Sequence, residues 1–180
     1  PWTAGGTWAV KVESPLHPLN AAWGGKGDFL NDEIYHYRDG TFTRKRSRVL
    51  LSLDMSKQRN FEGQGMAAKL RDSIKADGDY PIAWIHKVGQ GRVFYSNLGH
   101  NHATYWNPKV LQHFLDGIQY PLGDLDSDAT PSSDPNYVLT TRALANTLLF
   151  LPARRSHASG DHDFRSGTHP PPKRPNPPLP

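Results

Sequence analysis

The chain has 180 residues and a mass of 20.1 kDa, room for one domain of ordinary size and a tail. The absence of cysteine excludes a disulfide framework, a cysteine-ligated metal and a cysteine nucleophile within these residues, and no run approaches the roughly 20 apolar residues of a membrane-spanning helix. The net charge of +4 is mostly a tail property: five basic and two acidic side chains lie beyond Leu151, leaving 16 and 15 before it, which is not the basic stripe of a nucleic-acid-binding domain.

From the N-terminus, Thr7–Val12 (TWAVKV) is β-branched and aromatic and predicts a strand. Residues 33–37 (EIYHY) alternate and predict another. Arg48–Leu53 (RVLLSL) is a near-continuous apolar run, expected of a strand covered on both faces, as in open α/β sheets. A weaker helical pattern covers 64–75, with Met66, Leu70 and Ile74 four apart. Residues 82–86 (IAWIH) and 92–98 (RVFYSNL) flank a connection holding Gly89 and Gly91 and predict a hairpin. Asn107 and Pro108 then open a helix, with Val110, Leu111, Phe114, Leu115 and Ile118 as its apolar stripe and Gly123 as its stop. Residues 124–136 are acidic and rich in Ser and Pro and read as a linker, and 137–151 as a short helix. Residues 152–180 hold seven of the 16 prolines within the last eleven positions and read as a disordered basic tail.

Three groups of residues could carry chemistry. Gly99-His100-Asn101-His102 follows a strand and precedes a helix, the kind of junction where open α/β sheets place their sites. A glycine there lets the backbone turn and an imidazole project, and histidine suits proton transfer near neutral pH. His100 and His102 could also chelate a metal, although zinc usually takes a third protein ligand. Asp32 and Glu33 open the 33–37 segment. Strand alternation puts Glu33, Tyr35 and Tyr37 on one face and Asp32, Ile34 and His36 on the other. Trp2, Trp8, Trp23, Trp84 and Trp106 are many indoles for this length; one or two are expected to line a pocket and the rest to fill the core. The Gly5-Gly6 and Gly24-Gly25 pairs lack the spacing of a phosphate-binding loop, and there is neither a G-x-S-x-G elbow nor an HExxH motif.

Several strings together resemble the trehalose-utilisation ThuA-like family: residues 5–20 (GGTWAVKVESPLHPLN), 31–37 (NDEIYHY), 48–56 (RVLLSLDMS), 80–101 (YPIAWIHKVGQGRVFYSNLGHN) and 107–132. The resemblance covers roughly residues 1–132. It implies an α/β fold of the class I glutamine amidotransferase-like type, a flavodoxin-like open parallel sheet flanked by helices. It also implies that the opening strands of such a domain precede Pro1, so that the chain is expected to be the C-terminal part of the domain. It implies a role in the metabolism of trehalose-like disaccharides or their 3-keto derivatives, with a small-molecule sugar as partner, and places His100 near the position of the amidotransferase triad histidine. On this basis His100 and Glu33 are the candidate catalytic pair, with Asp32, Tyr35, Trp84, Tyr95, Asn101 and His102 as candidate sugar contacts. No cofactor and no metal are expected. Homo-oligomerisation, fusion to other domains and the cellular compartment stay open. Two alternatives stand beside the sugar-processing role: a non-catalytic carbohydrate-binding or scaffolding domain, and a metal-dependent hydrolase using His100 and His102.

Overall fold

A computed structural model describes residues 2–38, 40–62, 75 and 77–135. The expected helices at 64–75 (Lys75 apart) and 137–151, and the expected tail, lie outside the described residues.

Five strands form one sheet: β1 (Thr7–Val12), β2 (Asp28–Asn31), β3 (Arg48–Leu53), β4 (Pro81–Val88) and β5 (Gly91–Ser96), in the order β2-β1-β3-β4-β5. Every pairing is antiparallel. The flavodoxin-like parallel sheet of a class I glutamine amidotransferase-like domain is therefore not what the described residues form; this is an antiparallel sheet with few helices. The physical reason lies in what each sequence signal can report. β3 is buried at all six positions, as its apolar run predicts, because it is the middle strand with cover on both faces. Burial on both faces does not fix the direction of the neighbouring strands. Chain connection does: β4 and β5 are joined by only Gly89 and Gln90, a two-residue turn that allows antiparallel pairing alone.

β1 and β3 occupy the residues expected of them, and the hairpin is longer on its first strand than its apolar run suggests. Residues 33–37 do not form a strand. Only Ile34 pairs, in an isolated bridge with Trp2, and the Tyr35 carbonyl accepts a hydrogen bond from the Asn97 side chain instead of from a ladder neighbour. β2 had no clear signal in the sequence. It is four residues long, polar at both ends, and is set by pairing with β1 from Thr7↔Asn31 to Val10↔Asp28.

The long helix runs Pro108–Leu122, with the Asn107 side chain accepting from the Lys109 amide and Gly123 closing it at φ 91°. The helix is where the sequence predicts it, but its buried face is not the leucine stripe. Val110, His113, Gly117 and Tyr120 face the protein, whereas Leu111, Leu115 and Ile118 are exposed. The helix packs on β5 and on the 3-10 helix Pro18–Trp23. The core between them gathers Trp8, Leu19, Trp23, Leu51, Ile85 and Tyr120, among others. Four tryptophans, Trp2, Trp8, Trp23 and Trp84, are buried and Trp106 is exposed.

Residues 124–135 run back across the sheet. Leu125 and Ala129 pack against the core, the Ser132 hydroxyl accepts from the Val49 amide, and the Asp128 carboxylate pairs with Arg48 at 3.2 Å. No helix among the described residues is long and apolar enough to cross a membrane.

Candidate functional site

The loop leaving β5 is shaped by one buried carboxylate. Asp32 is fully buried, and its two oxygens accept from the backbone amides of Gly99 (2.6 Å), Asn101 (2.9 Å) and Glu33 (3.0 Å). Charge-assisted bonds of this kind are about twice as strong as neutral ones, so Asp32 fixes where the loop turns. Gly99 has φ 116°, and a Cβ there would stand 2.6 Å from the Tyr105 hydroxyl; the position needs glycine on both counts. Asn101 braces the other side, donating through Nδ2 to the carbonyls of Ala4 (2.7 Å) and Asn31 (3.1 Å) and to the Asn31 side chain (2.9 Å).

Held in this way, His100 projects with its side chain half exposed, and Nδ1 lies 2.9 Å from Glu33 Oε2. Glu33 is itself four-fifths covered. The Tyr35 hydroxyl bonds to the same carboxylate, and that bond is the main reason the phenol is held above its usual pKa. One carboxylate thus joins an imidazole and a phenol. The alternation expected for 32–37 holds over 32–35 without the strand: Asp32 and Ile34 turn inward, Glu33 and Tyr35 outward, while His36 and Tyr37 are both half-buried.

An open cleft of about 450 Å³ lies beside this group, lined by Tyr35, Tyr95, Ser96, Asn97, Leu98, Gly99 and His100. Behind Tyr95 stands Trp84, stacked on it at 4.2 Å and 17°. Tyr37 meets both rings edge-on and bonds to the Tyr95 hydroxyl; burial first, and then that bond, push its pKa up. Asn97 ties this wall to the 33–37 segment by donating to the Tyr35 carbonyl and the Tyr37 hydroxyl.

The structure therefore brings together His100, Glu33, Tyr35 and Tyr95 and sets Trp84 one ring behind them. It places Asp32 and Asn101 underneath, as supports of the loop. His102 stands apart, exposed at the first position of the 3-10 helix His102–Trp106 and outside the cleft lining. Among the described residues no three histidine or acidic side chains converge as a metal site would require. Ser96 and Asn97 line the cleft without having been singled out in the sequence. Their signal was positional: Asn97 lies two residues beyond Tyr95 and one before the expected strand end.

Fold and site define a small antiparallel α+β domain whose sheet rim carries a histidine–carboxylate–tyrosine group over an open cleft. A family model described as ThuA, trehalose utilisation, matches residues 3–121, and the chain belongs to that family. Membership links it to trehalose utilisation. No curated protein and no solved structure matches the chain.

Proposed function

We propose that this ThuA-family domain binds and transforms a sugar, a trehalose-like or 3-keto disaccharide, in the cleft at His100. The observation that carries the proposal is the Glu33 carboxylate shared by the His100 imidazole and the Tyr35 phenol at the mouth of an open cleft. A carboxylate on Nδ1 fixes the imidazole with its proton on that nitrogen and leaves Nε2 as the base. His100 takes a proton from a sugar hydroxyl or returns one to it, Glu33 orients the ring and stabilises the imidazolium, and Tyr35 hydrogen-bonds a neighbouring hydroxyl. Tyr95, backed by Trp84, offers a flat apolar surface to a pyranose ring.

The test is turnover and binding by the full-length protein with native and 3-keto disaccharides. His100→Ala is expected to lower turnover by about 10²–10⁴-fold, the usual worth of a general acid–base, and Glu33→Gln to lower it in parallel. Because the His100 side chain is half exposed, its removal is expected to leave the melting temperature within about 2 °C of the parent. Retained activity together with a large loss of stability would overturn the assignment. The stacked Trp84–Tyr95 wall also suits a non-catalytic carbohydrate-binding module, and saturable binding of these sugars without product would favour that role.

A further inference from the structure

A second and larger cleft, of about 820 Å³, lies on the same face of the sheet, on the far side of the Trp84–Tyr95 stack from His100. Strand geometry sets it there. Tyr95 pairs with Trp84 and Ser96 with Ala83, so the His100 loop leaves at the Ala83 end of the hairpin. Trp84, His86 and Val88 alternate along β4 toward its other end, and all three line the larger cleft. At about 3.3 Å per residue they span roughly 13 Å, ample for a monosaccharide and its substituents. The volume falls within the usual range for small-molecule sites.

We propose that this cleft is a second ligand site, distinct from the one at His100, that takes an anionic sugar: a saccharide carrying a phosphate or a carboxylate. Its floor is apolar and aromatic, with the Phe42 and Trp84 ring centres 4.8 Å apart. Thr41, Thr43 and Ser47 line it, residues suited to sugar hydroxyls, with the Thr41 hydroxyl already donating to the Arg38 carbonyl and keeping its lone pairs for a ligand. Its charge is positive. Arg46 and Lys87 are exposed at its edge, and neither takes part in an ion pair among the described residues. The acid in the lining, Asp128, is already engaged by Arg48 and by the Thr130 amide and hydroxyl. His86, also in the lining, has a buried Nδ1 without a hydrogen-bond partner. Two cations above an aromatic floor select a ring that bears an oxyanion over a neutral one.

Calorimetric titration of the full-length protein with a hexose monophosphate, a hexuronate, the neutral hexose and inorganic phosphate tests the proposal. At least one of the two anionic sugars is expected to bind roughly tenfold or more tightly than the neutral hexose and than inorganic phosphate. Which of the two binds tells phosphate from carboxylate. Raised salt and the Arg46→Ala/Lys87→Ala double variant are each expected to weaken that binding by roughly tenfold, with the fold intact because both side chains are exposed. Phe42→Ala is expected to weaken the sugar acid more than inorganic phosphate. His100→Ala is expected to leave it unchanged, which separates this site from the one proposed above. Failure of both anionic sugars to bind, equal binding of neutral hexose or of bare phosphate, or indifference to the double variant would overturn the proposal.

Discussion

Asp32 shows how a single residue can matter to a site without meeting a ligand. Its neighbour in sequence, Glu33, faces the cleft, while Asp32 is buried and holds the amides of Gly99 and Asn101. Two other buried residues govern the response of stability to pH. His113 donates from Nδ1 to the Leu19 carbonyl, and burial outweighs that bond and the Asp116 charge, bringing its pKa from 6.5 to about 4. His17 accepts from the Leu19 amide at Nδ1 and donates from Nε2 to the Asp128 carbonyl; burial, with the Arg48 charge, likewise brings it to about 4. Both imidazoles bind a proton more readily in the unfolded chain. Their contribution is therefore complete above pH 6.5 and is lost as pH falls toward about 4, on the order of 2–3 kcal/mol for each. Glu13, Asp79 and Asp128 act in a lower window. Burial would raise them, but their hydrogen bonds and nearby cations hold them below the usual carboxylate range, so their contribution is lost only below about pH 4. Urea unfolding between pH 4 and 7 is expected to show falling stability on acidification, with a shallower slope for His113→Gln. An unchanged slope in that variant would remove His113 from the account.

At the level of the element, the long helix was legible in its limits and not in its orientation. Asn107, Pro108 and Gly123 act through their own backbone and adjacent amides, and they stand where local chemistry puts them. The stripe of Leu111, Leu115 and Ile118 pointed to a buried face that the fold does not bury. Gly117 decides the matter. A Cβ there would come within 2.2 Å of the Phe94 ring, so the absence of a side chain is what lets the helix lie on β5 along the line Val110–His113–Gly117–Tyr120. Read locally, Gly117 is a mild helix weakener that alanine would improve by about 1 kcal/mol. In the fold, Gly117→Ala is expected to destabilise by about 1–3 kcal/mol through overpacking. Chemical denaturation reads the sign directly, and stabilisation would show that the contact with Phe94 is not tight. The segment 33–37 makes the complementary point. Its alternation was legible and holds over 32–35, but only Ile34 pairs, with Trp2, and the Tyr35 carbonyl bonds to the Asn97 side chain, so no ladder extends along it.

For the whole molecule, the segment after the long helix is a working part of the fold although it lies beyond the ThuA match. Arg48 opens the central strand and is only 3% exposed; its Nη1 donates to the Asp128 carboxylate and to the Thr130 carbonyl. Removing a partner from a buried charge is far more costly than removing one at the surface. Asp128→Ala is therefore expected to lose about 2–4 kcal/mol in equilibrium unfolding. Asp126→Ala, whose carboxylate is 89% exposed beside Arg92, is expected to change stability by less than about 0.5 kcal/mol. Equal effects of the two would mean that this segment does not support the sheet.

The family and the places of β1, β3, the hairpin and the long helix could be read from the chain's own residues. These rest on period, turn chemistry and motif, which act over a few residues. Packing set the antiparallel direction of the sheet, the meeting of His100 with Glu33 and Tyr35, the supporting places of Asp32 and Asn101, and the cleft beyond Trp84 with Arg46 and Lys87 at its edge. Strand direction, burial of a given helix face and the meeting of side chains far apart in the chain, as with Arg48 and Asp128, 80 positions apart, are set by packing between distant segments, and no local pattern encodes them.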